Sequence, residues 1–464
     1  MKRMSLQMSI WLAVSLAGVA CLTTAVGAAV LTSPNYKLNT NIGGTFGGNE
    51  SSTSYKMSTV GGEAVVGNGT SGSYKLRQYF GGKTATSMSL AVQPHGLMAM
   101  YPFDENTGTI ANDSTAYSNT GTLGGGATWG TGQLGSAVNL SGTSQSVTIP
   151  NNSAFNNPGS QMTLSAWVYQ SSGAYAKAIA SNWQFSGSTS VSGSWALQTG
   201  NQFGTQLQFY VSAGAADSGS NYVTTPKTLH AKAWNHIVVV YDGTQAAANR
   251  VKIYLNNSSQ SLTTTGTIPA TMQSNTAPLA IGDFTGLSRY WNGLIDQVKI
   301  YSTAWTPDQV AADYNAENAG TPAGLSLGTL IGANSNSADL DTILKTNGQN
   351  YALAVNQNHN LQIGTSGATI PAISGSIASP LGWTEKTTKG LGFSIVSAPQ
   401  IESKWGAGAN YAAFPNASTT FYGRSGVTNT TGDLVWLRTR ADIVGSQTTG
   451  SYANTVTITG TDLP

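Results

Sequence analysis

The chain has 464 residues, of which only 9% are Asp, Glu, Lys or Arg, whereas an average soluble domain has about 25%. Ser, Thr, Asn and 55 glycines stand in their place, which favours strands and tight turns over charged helices. The formal net charge is +2, and without Lys2 and Arg3 the 21 basic residues become 19, equal in number to the 19 acidic residues. Such a neutral chain has no long-range attraction for nucleic acid or for an anionic membrane, which excludes both as partners beyond the N-terminal segment.

Residues 1–28 have the pattern of a secretory signal peptide. Lys2 and Arg3 precede an apolar stretch at about 10–22, and the small residues at 26–28 fit cleavage after Ala28. We therefore predict a protein that is secreted or displayed at the cell surface, with an uncleaved N-terminal anchor or a lipoprotein as alternatives. The only cysteine, Cys21, lies in this segment, so no disulfide is expected in the mature chain.

Residues 29–90 contain a repeat with a period of 19 residues. Tyr-Lys pairs begin at Tyr36, Tyr55 and Tyr74, and a pair of glycines follows each of them. This pattern predicts a short array of strands and turns. A flexible Gly/Ser spacer is the alternative.

Residues 96–318 contain many short apolar segments broken by Gly, Asn and Ser, which predicts closely spaced strands. Alternation over 294–301 predicts the last of these strands. Thr306, Pro307 and Gln309 then form the pattern of a capped helix start. Many strands followed by one terminal helix predict a sandwich of two antiparallel sheets.

The segment 320–324 is glycine-rich and predicts a linker. Beyond it, apolar and polar residues alternate again over 338–345 and 455–459. We therefore predict a second, smaller β-sandwich over 325–464. The predicted fold class is all-β throughout, with a strand repeat, a central sandwich and a C-terminal sandwich.

Several segments of the central region stand in a characteristic order and spacing, among them MYPFDENTGTIANDSTAYSNTGTL, MTLSAWVY, WNHIVVVYDG and WNGLIDQVKIYSTAWTPDQVAADY. Together they resemble the laminin-G-like, or concanavalin A-like, jelly-roll domain of bacterial surface proteins. The resemblance implies that the last strand returns beside the first and that the helix caps its end. The C-terminal segment GSYANTVTITGT resembles the last strand of Ig-like surface and pilus-type domains.

The resemblance also implies a calcium site at a sheet edge. Asp104 and Asp113 follow the first predicted strand, and Asp296 lies on the strand expected beside it. Carboxylate oxygens, with backbone carbonyls, are the ligands that Ca²⁺ prefers. We therefore expect a structural Ca²⁺ site, and the alternative is that the three residues only form turns and strand ends.

Glycan binding needs exposed aromatic rings that stack on sugars, with amides for the hydroxyl groups. Trp183, Tyr290 and Trp291 fall in loops or at strand ends, and Asn292 is adjacent, so these four are the predicted ligand-binding residues. The alternative is that loop aromatics close off a core.

Catalysis is not expected. The six glutamates are scattered, and none lies in the Glu-x-Asp-x-Glu strand that related glycosidases carry. The four histidines show no metal spacing, and His236 is expected to be structural. We therefore predict a non-catalytic binding protein that recognises carbohydrate or another extracellular surface ligand and serves adhesion. A structural envelope or filament component and a glycoside hydrolase are the alternatives.

Overall fold

The computed structural model describes residues 88–319 and 335–463, with the isolated positions 327 and 330. Short gaps fall at 153–154, 156, 188, 201–203, 213, 215–218, 347, 349, 366, 386, 430–431, 445 and 451. Before residue 88 it gives only backbone strands, at Met8–Ala13, Val26–Ser33, Tyr36–Ile42, Gly47–Ser51, Lys56–Val60, Asn68–Thr70 and Lys75–Arg77. The cleavage-site and linker predictions rest largely on residues outside those described, and they stay predictions.

The chain forms two compact units. The central unit contains Gln93–Thr329, and the other contains Val19–Val92 together with Leu330–Pro464. Both are built from antiparallel sheets, so the predicted all-β fold class is confirmed. Within the part of the chain that the structure describes, no helix has the length and apolar character needed to cross a membrane.

One layer of the central unit is a nine-stranded antiparallel sheet. Its strands, from one edge to the other, are Ile110–Ala111, Gly121–Gly124, Ser146–Ile149, Leu279–Ile281, Ala178–Ser186, Thr189–Thr199, Leu207–Val211, Tyr222–Thr224 and Thr263–Thr265. One face of this sheet carries the apolar residues of the core, and the opposite face is called the outer face below.

The other layer is an eight-stranded sheet. Its main path runs through Thr128–Thr131, Ser136–Ser141, Asn292–Tyr301, Gln161–Gln170, Trp234–Asp242, Val251–Leu255 and Ser258–Ser259. The first strand of the unit, Leu97–Tyr101, also pairs with Asn292–Tyr301, and Tyr101 lies opposite Val298. The predicted return of the last strand beside the first is therefore confirmed.

Apolar side chains from both sheets meet in one core. Leu164, Ala166 and Val168 point into it, while the alternate residues Ser165 and Trp167 point to the other face of the eight-stranded sheet. That face is covered as well, so the strand is buried on both sides and lacks the simple apolar–polar alternation of a half-exposed strand.

Helix α1, Pro307–Asn318, covers this second face. Thr306 Oγ1 accepts a hydrogen bond from the Gln309 N–H at 3.3 Å, and the Thr306 N–H donates to Gln309 Oε1 at 2.8 Å, which completes the predicted capping box. Val310 is buried against the sheet, and Tyr314 stacks on Trp167 with ring centroids 5.8 Å apart. Both residues therefore lie on the helix face that packs against the sheet. A short 3₁₀ helix, Ala247–Asn249, lies elsewhere in the unit.

The other unit also has two main sheets. One contains Gly390–Ser397, Asp433–Asp442, Asn336–Thr346 and Met88–Pro94 in this order. The other contains Thr369–Ile370, Leu361–Ile363, Tyr452–Leu463, Asn350–Gln357 and Thr419–Ser425. A two-stranded pair, Leu381–Gly382 with Asn410–Tyr411, and a 3₁₀ helix, Ser403–Gly408, complete it.

Candidate functional site

Trp291 was predicted to bind ligand, but its side chain is completely buried in the core between the two sheets. The loop 282–291 closes where the Trp291 N–H donates to the Gly282 carbonyl at 2.8 Å, and the tryptophan then leads directly into the strand Asn292–Tyr301. A ring inside the core cannot stack on a sugar. The prediction for Trp291 was wrong because this loop aromatic closes the core.

Trp183 lies on the outer face of the nine-stranded sheet, but it is also completely buried. It stacks on Phe185 at 6.1 Å and meets Phe284, from the loop 282–291, edge to face at 6.0 Å. Its Nε1 donates to Ser190 Oγ at 2.8 Å, and its ring lies against Gly193, where any Cβ would overlap it. The prediction for Trp183 was therefore wrong as well.

The other two predicted ligand residues are half-buried. Asn292 begins a strand and lies opposite Ser141, in the eight-stranded sheet. Tyr290 follows Arg289 at the end of the loop 282–291. The four residues therefore do not form one binding surface, although Tyr290 borders the region described next.

Six residues on the outer face form a polar and aromatic surface, which we call the amide–tyrosine patch. They are Gln198, Gln208, Tyr210, Tyr222, Thr224 and Arg289. Strand pairing places Gln198 opposite Gln208, and Gln208 opposite Thr224. In the next row Tyr210 lies opposite Tyr222, with ring centroids 4.8 Å apart.

Hydrogen bonds join the patch into one network. Tyr210 Oη donates to Gln208 Oε1 at 2.9 Å, and Gln198 Nε2 donates to the same oxygen at 3.3 Å. Arg289 Nη1 donates to Gln198 Oε1 at 2.5 Å. The glutamines and Tyr210 are buried, while Tyr222 and Thr224 on one side of them and Arg289 on the other side are half-buried.

The strand Leu207–Val211 carries a sequence signal for this patch. In the strand Leu207–Val211 the core residues Leu207, Phe209 and Val211 alternate with Gln208 and Tyr210. An amide and a phenol at alternate positions of an otherwise apolar strand mark its outer face. Aromatic rings, amides, hydroxyls and a guanidinium in one surface are the groups that bind sugars.

Of the three predicted metal ligands, Asp113 has a different environment from Asp104 and Asp296. Asp113 is buried in a loop, and its carboxylate accepts hydrogen bonds from the N–H groups of Met100, Thr115 and Asn119 and from Thr115 Oγ1. These four donors satisfy both oxygens, so Asp113 shapes the loop, and the prediction that it joins the other two aspartates was wrong.

Asp104 and Asp296 both contact the loop 132–136. Asp104 Oδ1 accepts from the Ser136 N–H at 2.9 Å, and Asp296 Oδ2 accepts from the Leu134 N–H at 3.0 Å. Asp296 is fully buried and, among the described residues, has no basic partner. Burial raises the pKa of its carboxyl to about 8, the N–H groups that it accepts from oppose this, and the charge of Asp104 adds to the increase.

The space beside Gly132 is lined by oxygens. A Cβ at this glycine would lie 2.5 Å from the carbonyl oxygens of Leu134 and Ser136 and 2.6 Å from Asp296 Oδ2. Carboxylate and carbonyl oxygens are the ligand types that Ca²⁺ takes. The chemistry of Asp104, Asp296 and these carbonyls therefore suits a hard cation beside the loop 132–136.

A second charged cluster lies beneath helix α1 and was not anticipated. Lys299 bonds to both Asp313 and Glu317, and Asp313 Oδ2 lies 3.0 Å from His236 Nε2 and 2.7 Å from Ser165 Oγ. All five side chains are buried. Because substrate cannot reach them, this arrangement of serine, histidine and carboxylate is a structural link between sheet and helix.

The same cluster is the one group of described residues with metal-ligand spacing. Ligand atoms of His236, Asp313 and Glu317 lie within 4.8 Å of one another. The Lys299 ammonium already offsets their charge: burial alone would lower its pKa, but the two carboxylates raise it. The pKa of Asp313 is lowered because the charge of Lys299 outweighs the effect of burial. A cation would have to compete with this lysine.

The sequence of the central unit also matches a family model. Residues 141–311 match the model of the concanavalin A-like lectin/glucanases superfamily. The central unit has a concanavalin A-like fold, and we call it the concanavalin A-like domain. The match lies within the segment 96–318 for which the sequence predicted this likeness. A search of curated proteins gives no match.

Solved structures resemble parts of this chain at low similarity. Domain 4 of AbnA, a GH43 extracellular arabinanase from Geobacillus stearothermophilus solved with arabinotriose, has a TM-score of 0.35 and 21% identity over 47% of this chain and 98% of that chain. The botulinum neurotoxin serotype G binding domain has a TM-score of 0.37 and 12% identity, over 74% of this chain and 72% of that chain. Trypanosoma rangeli sialidase in complex with sialic acid has a TM-score of 0.35 and 14% identity, over 49% of this chain and 34% of that chain. Such scores transfer neither ligand nor activity to this chain.

Proposed function

We propose that the chain is a secreted or cell-surface, non-catalytic binding protein whose concanavalin A-like domain recognises carbohydrate. The observation that carries this proposal is the amide–tyrosine patch on the outer face of the nine-stranded sheet. It combines a half-buried tyrosine ring with a hydroxyl and a guanidinium at its edge, and buried amides hold that edge in place.

Each group has a role that fits a sugar. The ring of Tyr222, backed by Tyr210, offers an apolar face for the C–H side of a pyranose. Thr224 and Arg289 supply hydrogen bonds for hydroxyls. Gln208 Nε2 donates to Thr224 Oγ1 at 3.3 Å, which orients this hydroxyl before a ligand arrives. A preorganised edge of this kind lowers the entropic cost of binding.

The positions of the carboxylates support a non-catalytic role. Retaining and inverting glycosidases need two carboxyl groups on either side of an accessible glycosidic bond. In the described part of the concanavalin A-like domain, Asp313 and Glu317 form a close carboxylate pair, but they lie beneath helix α1 and bind Lys299. No sugar reaches them there.

The proposal includes a structural calcium ion held by Asp104 and Asp296 with the carbonyl oxygens of the loop 132–136. Asp296 lies on the strand Asn292–Tyr301, and Asp104 follows the strand Leu97–Tyr101 that pairs with it. The loop 132–136 contacts both aspartates. A cation there would offset the buried charge of Asp296 and tie the loop to the sheet.

Binding to a glycan array tests the proposed function. We expect the wild-type chain to bind a defined set of glycans and Tyr222→Ala to lose about 10-fold or more in affinity, as expected for one aromatic–sugar contact. Tyr117→Ala is the matched control, because this tyrosine is 37% exposed but lies in the Asp113 loop outside the patch. Equal binding by wild type and Tyr222→Ala would refute the assignment of the patch, and release of reducing sugar would refute the non-catalytic role.

A further inference from the structure

Arg289 is placed differently from the other arginines of the described residues. Arg424, Arg438 and Arg440 each pair with a carboxylate. Arg250 donates to two backbone carbonyls, at 3.0 and 2.6 Å. Arg289 has the Gln198 side-chain oxygen as its acceptor and forms no salt bridge within the described ranges.

The guanidinium of Arg289 is nevertheless held in a fixed position. It lies over the Phe284 ring, 5.5 Å from the centroid, and its backbone carbonyl accepts from the Ala178 N–H at 2.7 Å. Gln198, which accepts from it, is bonded in turn to Gln208. The side chain is therefore ordered at the edge of the patch, and Gln198 accepts from one of its five N–H donors.

A half-buried cation without an anion is an expensive arrangement. Arginine stays charged at every physiological pH, so the loss of hydration is not relieved by deprotonation. The remaining members of the patch are glutamines, tyrosines and a threonine, none of which would repel an anion at neutral pH. The buried carboxyl of Asp283, in the same loop, accepts a hydrogen bond from the backbone N–H of Arg289, but it forms no salt bridge with the Arg289 guanidinium in the described structure.

We infer that the glycan recognised by the amide–tyrosine patch is acidic and that Arg289 binds its carboxylate, as in a uronic acid residue. The planar guanidinium matches a carboxylate with two parallel hydrogen bonds, whereas Tyr222 and Thr224, on the other side of the buried glutamines, suit the sugar ring and its hydroxyls. This inference rests on the proposed function, because it names the ligand class of the same surface.

Binding of the full chain to polygalacturonate, alginate and hyaluronan, each compared with its methyl-esterified form, tests the inference. Esterification removes the charge but keeps the sugar backbone. We expect the wild type to prefer at least one acidic polymer about 10- to 100-fold over its ester, the value of one charge-assisted contact. Comparison of dextran sulfate with uncharged dextran tests for recognition of sulfate esters. Selective binding to dextran sulfate, without binding to any carboxylated polymer, would overturn the carboxylate assignment.

Arg289 variants connect the preference to the residue. Arg289→Gln should remove the difference between acid and ester, and Arg289→Lys, which keeps the charge but loses the planar fork, should lose most of it. Lys252→Gln removes one exposed positive charge outside the patch and should leave the preference unchanged. The melting temperatures of all variants identify any that fail to fold. If Arg289→Gln does not fold, Arg289→Lys tests the inference in its place.

The outcomes for the two proposals differ. Equal binding of acid and ester by wild type, with loss of both in Tyr222→Ala, would overturn the role of Arg289 and leave carbohydrate binding intact. Unchanged selectivity in a folded Arg289→Gln would do the same. Absence of binding to every polymer and to the glycan array would refute both.

Discussion

Lys299 on the strand Asn292–Tyr301 and Asp313 on helix α1 form an ion pair with only 2% and 4% of their side chains exposed. Glu317, one turn further along the helix, binds the same ammonium. Trp167 Nε1 donates to Glu317 at 2.7 Å, which links the same helix to the neighbouring strand. The helix is thus attached to the sheet by polar bonds in addition to the apolar contact at Val310.

Replacing Lys299 by methionine should destabilise the concanavalin A-like domain strongly. The change leaves two buried carboxylates without their cation, and removal of one partner of a buried ion pair costs about 3–5 kcal/mol. Urea denaturation of the full chain measures the change in the free energy of unfolding. Lys252→Met, at an exposed position of the same sheet, is the control and should change this free energy by less than about 0.5 kcal/mol.

The triple variant Lys299→Met/Asp313→Asn/Glu317→Gln separates charge from packing. It removes all three charges together, so it should recover a large part of the stability lost in Lys299→Met. If the triple variant is as unstable as the single one, the lysine acts through packing and not through its charge.

Calcium should stabilise the domain through Asp296. At a calcium concentration about 100-fold above the dissociation constant, binding to the folded state adds about 2.7 kcal/mol, or about 5–10 °C in melting temperature for a domain of this size. Asp296→Asn should abolish the shift, whereas Asp113→Asn should keep it, because Asp113 has its own loop donors. Identical melting temperatures with calcium and with a chelator would rule out the site.

The stability of wild type relative to Asp283→Asn should depend on pH. Burial raises the pKa of the Asp283 carboxyl to about 6, and the N–H groups of Phe284 and Arg289 oppose the increase. A raised pKa means that the favourable contribution of the neutral acid is complete below about pH 4 and is lost as the pH rises through 6. The melting temperature of the variant should therefore rise relative to that of wild type between about pH 4 and 6.5 and change little above that range. A constant difference would show that the carboxyl titrates normally.

The pairing of Tyr101 with Val298 and the start of helix α1 could be predicted because their signals are local. Alternation defines a strand over a few residues, and Thr306 and Gln309 cap the helix within one turn. The fate of Trp183 could not be predicted in this way. It is buried by Phe284, about a hundred positions later in the chain, and only the folded loop 282–291 brings the two rings together.

The amide–tyrosine patch was missed for a related reason. Gln208 and Tyr210 are recognisable as outward residues only when the core side of the strand Leu207–Val211 is known. Arg289 joins them from a loop about 80 residues further on, through its bond to Gln198. A single sequence carries no sign of that contact.

Gly193→Ala should destabilise the domain even though it adds a single methyl group. The new Cβ would overlap the Trp183 ring, which is enclosed by Phe185 and Phe284 and has no space to move away. Overpacking of this kind costs about 1–3 kcal/mol. Gly173→Ala is the matched control, because nothing lies within 4 Å of the added atom. Equal stability of the two variants would indicate that Trp183 is free to turn toward solvent.

The strand Met88–Pro94 should be required for the stability of the unit that contains Leu330–Pro464. It pairs with Asn336–Thr346, and Leu90 is buried next to Gly460 on the facing sheet. Leu90→Ala should therefore lower the free energy of unfolding of this unit by about 2–4 kcal/mol. Leu463→Ala, at a position 40% exposed, is the control and should have a smaller effect.

A chain limited to 325–464 tests the same strand directly, because it lacks one member of the four-stranded sheet. It should unfold at a lower temperature than the corresponding unit in the full chain, and a synthetic peptide of residues 86–95 should raise its melting temperature. The peptide supplies both the backbone partner for Asn336–Thr346 and the apolar side chains of Leu90 and Val92. A fragment as stable as the unit in the full chain, with no response to the peptide, would show that the sheet does not depend on this strand.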